Sequence, residues 1–382
     1  MLKTAISLFS GCGGDTLGMT NAGIDVKAFV EIDRHATASH LANFPDSTMI
    51  GADVGGDITK VPDVVFEAYE NKIDIIFSGS PCQGFSNAGK KDPNDPRNKL
   101  LFRSLDIVKI VKPRWVFIEN VSGLVKRMTD TGDSLVMDVI VGLFADAGYC
   151  METKVFSMTD FGVPQKRKRV FMIARLVTLE IEWSWPRLTP PPNLRVRDII
   201  TADMDCVEVF DAATVVDGEK ISYVVVRGDA GDALNIGAHP YITIKNQIIT
   251  QDDGSWTPSY KQTEQNRTRP GFVSHKKYMV REGNALLSFS KRASPLHSEI
   301  MDLDQPSKTI ICTYARQPRL LVALKHNDTT YIRAMNPLEL KQIQGFPPDF
   351  QLVGTRSQQI KQIGNAVPPV AVQRMIEHLR TM

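Results

Sequence analysis

A cysteine in a glycine-, serine- and proline-rich loop is the first candidate for chemistry. Cys82 belongs to the segment Gly79-Ser80-Pro81-Cys82-Gln83-Gly84-Phe85-Ser86, which directly follows an apolar run. A structural cysteine would ordinarily lie within the apolar run, and Pro81 removes a backbone donor and restricts the chain before the thiol. The pattern favours a nucleophile at Cys82, with a packing role as the alternative.

A carboxyl group and two guanidinium groups follow other apolar runs. Glu119 ends the run that begins at Trp115, where apolar neighbours would desolvate it and favour a protonated carboxyl that can donate a proton. The alternative is an ordinary strand-end glutamate that pairs with a nearby arginine. Arg167 and Arg169 alternate with lysines in a basic run that leads into a further apolar run. Residues two apart in a strand point to the same side, so we expect both arginine side chains to point inward on one side of this strand.

Glycines and two carboxylates indicate a ligand at the first strands. Phe9-Ser10-Gly11-Cys12-Gly13-Gly14 lets the backbone approach a ligand, although a plain tight turn would also explain it. Glu31 ends the next strand, about 20 residues beyond the glycines, where it could bind a ribose diol or merely cap a helix. Asp57 could accept a hydrogen bond from an adenine amino group. No phosphate loop with a lysine occurs, so the pattern predicts adenosine without phosphates, which S-adenosylmethionine fits.

The elements that must position these groups alternate between strands and helices. Helices are predicted at Leu101 to Val111 and Leu135 to Ala147. Apolar runs separated by helices predict βαβ units, a parallel sheet with helices on both faces, and ligands at the carboxyl ends of the strands. The predicted strands are Thr4 to Phe9, Val26 to Glu31, Ile73 to Phe77, Trp115 to Glu119, Glu152 to Phe156 and Val170 to Ala174.

The middle of the chain lacks the regular alternation of apolar runs and helical patterns. After Arg175 come a proline cluster and irregular polar sequence, until helical periodicity returns at about residue 335, in Pro337 to Gln344 and two later stretches. Residues 198–219 carry seven acids and no base, whereas residues 261–281 carry six Lys or Arg and one acid. This segregation predicts a second domain or a long insertion with one strongly basic face.

Composition narrows the class of protein. The chain has 382 residues, of which 42% are hydrophobic and 23% are charged, and this composition excludes disordered and fibrous proteins. The formal net charge of +2 does not by itself indicate a nucleic-acid partner. No stretch approaches the ~20 apolar residues of a membrane helix, and no signal peptide is visible, so we expect a soluble cytoplasmic protein. Five scattered cysteines and seven separated histidines predict no disulfide framework and no metal site.

Several blocks together carry a family resemblance. In order, they are FSGCGG, GDIT, GSPCQGFS, FIENV, QKRKR, RAMNPLEL and QIGNAVP. The chain resembles a bacterial DNA (cytosine-5)-methyltransferase of the restriction-modification type. The resemblance implies an α/β, Rossmann-like, doubly wound and mostly parallel domain at residues 1–180 and 335–382, with the C-terminal helix packed back. It also implies a smaller, irregular mixed target-recognition domain at residues 181–334.

The resemblance assigns roles to individual residues. Cys82 would add to cytosine C6 in double-stranded DNA, and Glu119, Arg167 and Arg169 would relieve the resulting charge, before methyl transfer from S-adenosylmethionine to C5 of the flipped-out base. The implied cofactor residues are Phe9, Gly11, Gly13, Glu31, Ile32, Asp57, Ile58, Pro81, Leu100, Asn365 and Ala366. The expected DNA contacts are Gln83, Ser86, Lys276, Lys277, Arg316 and Arg319.

Two other functions compete with this interpretation. A tRNA cytosine-5 methyltransferase could use the same scaffold, but the long segment between QKRKR and Arg333 favours readout of duplex DNA. A non-catalytic DNA-binding subunit could keep the fold, but the joint presence of Cys82, Glu119 and Arg169 argues against it.

Cys12 is interpreted as a packing residue. We expect a monomer, and the sequence leaves open whether a cognate restriction endonuclease acts separately.

Overall fold

The computed structural model describes residues 2–81, 99–128, 134–200, 209–211, 223–226, 272–274, 279–281, 299–301, 303–315, 320–326 and 329–382. Seven predicted site residues lie outside them: Cys82, Gln83, Ser86, Lys276, Lys277, Arg316 and Arg319. The helices are α1 (Gly14–Asn21), α2 (Arg34–Asn43), α3 (Asp63–Glu67), α4 (Lys99–Val111), α5 (Val136–Asp146), α6 (Pro337–Ile343), α7 (Arg356–Asn365) and α8 (Pro369–Thr381).

The strands are β1 (Thr4–Leu8), β2 (Asp25–Val30), β3 (Thr48–Met49), β4 (Ile75–Ser78), β5 (Trp115–Val121), β6 (Tyr149–Ser157), β7 (Gln165–Lys166), β8 (Lys168–Leu176), β9 (Val209–Asp211), β10 (Tyr223–Val226), β11 (Phe272–Ser274), β12 (Met279–Arg281), β13 (Glu299–Ile300), β14 (Ser307–Lys308), β15 (Leu320–His326) and β16 (Thr329–Ala334).

A seven-stranded sheet has the order β3-β2-β1-β4-β5-β8-β6. Strands β1 to β5 run parallel to one another, and β8 runs antiparallel to both β5 and β6. The predicted doubly wound, mostly parallel α/β fold is therefore confirmed. The chain moves outward from β1 to β3 and then returns to β4 on the other side of β1. This reversal is the topological switch point, where sheets of this kind bind ligands.

The antiparallel strand β8 decides which residues meet at the carboxyl edge. Its register pairs Val121 with Arg169 and Glu119 with Phe171. Because β8 runs against β5, the beginning of β8 lies beside the end of β5. The basic block that precedes and begins β8 is thereby brought to the edge where the parallel strands end.

Both faces of the sheet are buried, which explains the continuous apolar runs of its strands. Ile6, Leu8 and Ile76 belong to one hydrophobic cluster, whereas Ala5 and Phe77 belong to the cluster on the opposite face. Successive residues of a strand point to opposite faces, so each central strand contributes to both clusters. Because both faces are apolar and buried, polar side chains of a site are expected at the carboxyl ends of the strands.

Close packing of α8 on α1 brings the end of the chain beside its beginning. A Cβ atom at Gly18 would lie 2.4 Å from the carbonyl oxygen of Pro369 and 2.6 Å from Cβ of Val372. Arg380 donates a hydrogen bond to the carbonyl oxygen of Ala22. Glycine at position 18 is thus required by the approach of the two helices.

The chain forms two compact units. The first comprises residues 1–191, 345–358 and 365–382, and the second comprises residues 192–344 and 359–364. The second contains a five-stranded sheet of order β13-β15-β16-β10-β9 and an ion pair between Arg197 and Asp304. The catalytic and target-recognition roles of residues 1–180 with 335–382 and of residues 181–334 remain predictions. Over the described residues, no helix has the length and apolar character needed to cross a membrane.

Candidate active site

The glycine-rich loop after β1 leaves an open space at the switch point. Phe9 and Gly11 have φ angles of 56° and 58°, in the left-handed region that is costly for phenylalanine and free for glycine. A Cβ atom at Gly11 would meet nothing within 4 Å. Gly13, also at positive φ, lies tightly against Phe44 and His40. The loop is therefore packed on one side and open above Gly11, where a ligand could approach the backbone.

Glu31 joins the ends of β1 and β2. Its carboxylate accepts hydrogen bonds from the backbone N–H groups of Gly11, at 2.8 Å, and Asp33, at 2.7 Å. The helix-capping alternative for Glu31 is wrong, because the side chain of Asp33 caps α2 by accepting from the N–H groups of His35 and Ala36. Burial raises the pKa of Glu31. Two hydrogen bonds leave further acceptor capacity on this carboxylate for a ribose.

The segment after β3 contributes Asp57 and Ile58. Asp57 accepts from Thr59 N and Oγ1, and its other oxygen lies 3.0 Å from Nζ of Lys60. The hydrogen bonds from Thr59, followed by that from Lys60, lower the pKa of Asp57. Ile32 is 64% exposed beside Glu31, an apolar surface on which a flat base could rest, whereas Ile58 is buried.

Two buried hydroxyl groups lie at the ends of the neighbouring strands β1 and β4. Neither Ser10 Oγ nor Ser80 Oγ has a hydrogen-bond partner among the described residues. Buried polar groups of this kind are normally satisfied, so a ligand with polar atoms is the natural partner. Together with the open space above Gly11 and the acceptor capacity of Glu31, they fit an adenosine-type cofactor at the switch point.

Glu119 and Arg169 form a buried ion pair at the end of β5. Nε of Arg169 lies 2.8 Å from Oε1 of Glu119, and the two side chains are 14% and 10% exposed. Burial lowers the pKa of Arg169, and the charge of Glu119 opposes that shift. The ion pair agrees with a strand-end glutamate that pairs with a nearby arginine. It agrees equally with a catalytic Glu119, because Arg169 is itself a predicted catalytic residue.

Arg167 contacts a different part of the chain, near its C-terminal end. The buried Arg167 side chain donates a hydrogen bond of 3.5 Å to the carbonyl oxygen of Ala366. The neighbouring Val367 packs on the glycine loop, because a Cβ atom at Gly14 would lie 2.2 Å from its carbonyl oxygen. The predicted cofactor residue Ala366, which is buried, therefore lies beside Arg167 and Cys12, which are far from it in the sequence. The predicted cofactor residue Asn365 directly precedes it and is exposed.

The chain that leads into Cys82 is fixed to the same edge. Nδ2 of Asn120 donates to the carbonyl oxygen of Ser80 at 3.2 Å, and Oδ1 of Asn120 accepts from Val121 N at 2.7 Å. Pro81, the last described residue before Cys82, is half-buried. Sequence reasoning did not single out Asn120, although it lies within the FIENV block beside Glu119.

Cys12 has the predicted packing role. It is fully buried in a cluster with Phe346, Phe350 and Ala366. Burial raises the pKa of its thiol to about 12, so the thiolate is not formed near neutral pH. Among the described residues, no group of three or more His, Cys, Asp or Glu side chains could hold a metal ion.

Two buried polar side chains near the glycine loop were missed. Asp15, in the first turn of α1, is fully buried and accepts a hydrogen bond from Ser7 Oγ. His40 stacks on Phe29 with ring centroids 3.7 Å apart and contacts Thr16 Oγ1 at 3.1 Å, and burial lowers its pKa to about 3. No sequence signal separates these residues from exposed polar residues of α1 and α2.

The seven-stranded sheet and the helices packed on it have the α/β fold of Rossmann-like methyltransferases. The family model described as C-5 cytosine-specific DNA methylase matches residues 3–381, and the chain belongs to that family.

Similar proteins include bacterial enzymes. Type II methyltransferase M1.HphI of Haemophilus parahaemolyticus is 28% identical over 392 residues, covering 100% of this chain and 88% of the relative. Type II methyltransferase M.NgoPII of Neisseria gonorrhoeae is 28% identical over 372 residues, covering 95% and 91%.

Solved structures of similar fold include a protein assigned as a prophage-encoded DNA modification methyltransferase of Escherichia coli. It has a TM-score of 0.61 and 23% identity, and covers 99% of both chains. A DNMT2 mutant of Spodoptera frugiperda has a TM-score of 0.61 and 15% identity, again covering 99% of both chains. At these identities the likeness concerns the fold alone.

Proposed function

We propose that this chain transfers the methyl group of S-adenosylmethionine to C5 of cytosine in duplex DNA, through a covalent adduct of Cys82 with cytosine C6. Membership of the C-5 cytosine-specific DNA methylase family supports the reaction. The observation that carries the proposal is the buried ion pair between Glu119 and Arg169 at the end of β5. The neighbouring Asn120 donates a hydrogen bond to the carbonyl oxygen of Ser80, two residues before Cys82 in the sequence.

The cofactor would be held at the switch point by the residues that leave space and acceptors there. Glu31 has acceptor capacity for the ribose hydroxyls, Asp57 for an adenine amino group, and Ile32 offers an apolar face. Phe9, Gly11, Gly13, Ile58, Pro81, Leu100, Asn365 and Ala366 complete the proposed set. The bound cofactor supplies an electrophilic methyl group on a sulfonium.

The residues of the chain activate the base. Cytosine C5 is a poor nucleophile until the Cys82 thiolate adds to C6, which shifts the π electrons of the C5–C6 double bond to C4–C5 and those of the C4–N3 double bond onto N3. Negative charge then develops at N3 and O2. We propose that Glu119 donates a proton or a hydrogen bond to N3 and that Arg169, with Arg167 as a second cation, stabilises that charge.

The adduct is released after methylation. C5 would form its new bond to the methyl carbon as the bond from that carbon to the sulfonium sulfur breaks, so that the sulfur keeps the electron pair and S-adenosylhomocysteine leaves. A base then removes the C5 proton, and the returning electron pair expels the Cys82 sulfur as a thiolate. C5 and C6 are not accessible within stacked DNA, so the target cytosine must leave the duplex. Gln83 and Ser86 are proposed to contact the DNA at this point.

We further propose a role in restriction-modification, because similar bacterial relatives carry the name Type II methyltransferase.

We assign readout of the DNA target sequence to residues 181–334, and we propose that Arg316 and Arg319 contact the DNA. Exchange of residues 190–330 for the same segment of a relative should transfer the relative's target sequence, and retention of the original target would place readout elsewhere. Replacing both Lys276 and Lys277 by Gln should reduce the salt dependence of binding by about one per lost phosphate contact.

A labelled-methyl assay tests the proposal. The chain should transfer label to duplex DNA and not to tRNA, and transfer to tRNA alone would favour the competing tRNA enzyme. A duplex carrying 5-fluorocytosine should form a stable adduct, because fluorine cannot leave C5 as a proton does. Peptide mass spectrometry should place this adduct on Cys82. The variant Cys150→Ala, which removes an exposed thiol of β6, should form it normally.

A further inference from the structure

The guanidinium group of Arg103 holds the segment that follows Asp57. From the first half of α4, Nη2 donates to the carbonyl oxygen of Val61 at 2.9 Å and Nε donates to that of Ile58 at 3.3 Å. Nη1 forms a 2.7 Å ion pair with Asp63, and the group lies 5.7 Å from the ring centre of Phe66. One side chain thus connects α4 with residues 58–66.

The segment has little regular structure of its own. Between β3 and α3 the chain forms turns and one short 3₁₀ helix, Ala52–Val54, and Asp57 is held locally by Thr59 and Lys60. Those contacts fix the shape of the turn, and the side chains of Ile58 and Val61 are buried in the hydrophobic cluster that includes Ile6 and Ile76. The donors of Arg103 add a polar attachment to α4 at the carbonyl group of Ile58, one residue beyond Asp57.

The next residue of α4 attaches the helix to the sheet. Ser104 Oγ lies 2.9 Å from Ser78 Oγ, at the carboxyl end of β4, and both hydroxyl groups are buried. Adjacent residues of one helix therefore contact the end of β4 and the segment after Asp57. A shift of either contact would move Asp57 and Ile58 relative to the strand ends.

We infer that Arg103 is a positioning residue of the cofactor site, which holds Asp57 and Ile58 where they meet the adenine of S-adenosylmethionine. The inference rests on the proposed function. Arg103 acts through the segment and does not itself touch the cofactor. Its guanidinium fork is suited to this task because it can donate to several acceptors at fixed angles, which a lysine cannot do.

The test measures cofactor affinity by calorimetry on the full chain, well below the unfolding temperature. Arg103→Met keeps the apolar stem and removes the donors, and we expect it to weaken binding of S-adenosylmethionine roughly tenfold. Arg103→Lys should recover only part of that loss. The matched control is Asp63→Asn, which removes the ion pair but keeps both carbonyl bonds and should change affinity less than about twofold.

A double-mutant cycle separates positioning from a general loss of stability. If Arg103 acts through Asp57, then Arg103→Met should weaken binding by less than about threefold in a background of Asp57→Ala. In methylation assays the Michaelis constant for the cofactor should rise, whereas kcat at saturating cofactor should stay within about twofold.

Three outcomes would overturn the inference. Unchanged affinity in both Arg103 variants with a lowered unfolding temperature would make the residue a structural anchor only. An undiminished tenfold loss in the Asp57→Ala background would show that Arg103 acts by another route, and a loss confined to kcat would exclude cofactor positioning. If the wild-type chain bound no S-adenosylmethionine, the proposed function would fail instead, so the two failures are distinguishable.

Discussion

Replacement of Asp15 by asparagine should change how the stability of the chain depends on pH. Asp15 lies fully buried in the first turn of α1, with Ser7 Oγ donating to one carboxyl oxygen and no partner for the other among the described residues. Burial raises the pKa of Asp15 from its ordinary value of 3.8 to about 7. Between these values the folded chain retains a proton that the unfolded chain has lost.

The sign and the size of the effect follow from proton linkage. Because the folded state binds more protons in this window, the free energy of unfolding falls as pH rises through it and levels off above the folded pKa. Each pH unit corresponds to about 1.4 kcal/mol, so the contribution of Asp15 should fall by about 3 kcal/mol between pH 5 and pH 8. Asp15→Asn is neutral throughout and lacks this loss.

Urea unfolding of both proteins at several pH values measures the effect. The free energy of unfolding of Asp15→Asn should gain about 3 kcal/mol relative to wild type from pH 5 to pH 8, while contributions from Glu31 and Cys12 largely cancel in the difference. Ser7→Ala removes the hydrogen bond that lowers the pKa of Asp15, so its pH-dependent loss should extend to higher pH. Parallel curves for wild type and Asp15→Asn would refute the reasoning, because Asp15 would then be ionised in the folded chain.

Further predictions concern catalysis and packing. Cys82→Ala should abolish methyl transfer and leave the affinity for S-adenosylmethionine within about twofold, and residual turnover would exclude the covalent route. Glu119→Gln should slow single-turnover methylation by roughly 10²- to 10⁴-fold with little loss of DNA affinity, whereas weaker binding at an unchanged rate would make Glu119 a binding or structural residue. Gly18→Ala should destabilise the chain by about 1–3 kcal/mol in urea unfolding, because its new Cβ meets the backbone of Pro369. Gly142→Ala in α5, with open space around it, should instead stabilise by about 0.5–1 kcal/mol, and equal effects of the two substitutions would contradict the packing argument.

Much of the first unit could be predicted from hydrophobic pattern. The predicted helices Leu101 to Val111 and Leu135 to Ala147 correspond to α4 (Lys99–Val111) and α5 (Val136–Asp146). The strands carry apolar residues on both faces, so their runs are continuous and easily recognised. Parallel strands end at one edge of a sheet, so the residues that follow them in the sequence are expected at that edge.

The sequence could not predict contacts that depend on strand direction and on the return of the chain. An apolar run has the same appearance in a parallel and an antiparallel strand, so the pattern does not reveal that β8 is antiparallel and brings Arg169 to Glu119. The bond from Arg167 to Ala366 depends on α8 packing against α1 at Gly18.

Local sequence by itself determined which residues form strands, helices and the polar loops that follow them, because these depend on side-chain periodicity and on glycine and proline within a few residues. Only the tertiary structure decided that Asp15 is buried and that Arg103 reaches the carbonyl groups of Ile58 and Val61. An acid in the first turn of a helix and a base in its middle are both common on exposed helices. Their burial and partners depend on elements distant in sequence, whose approach is set by packing of the whole unit.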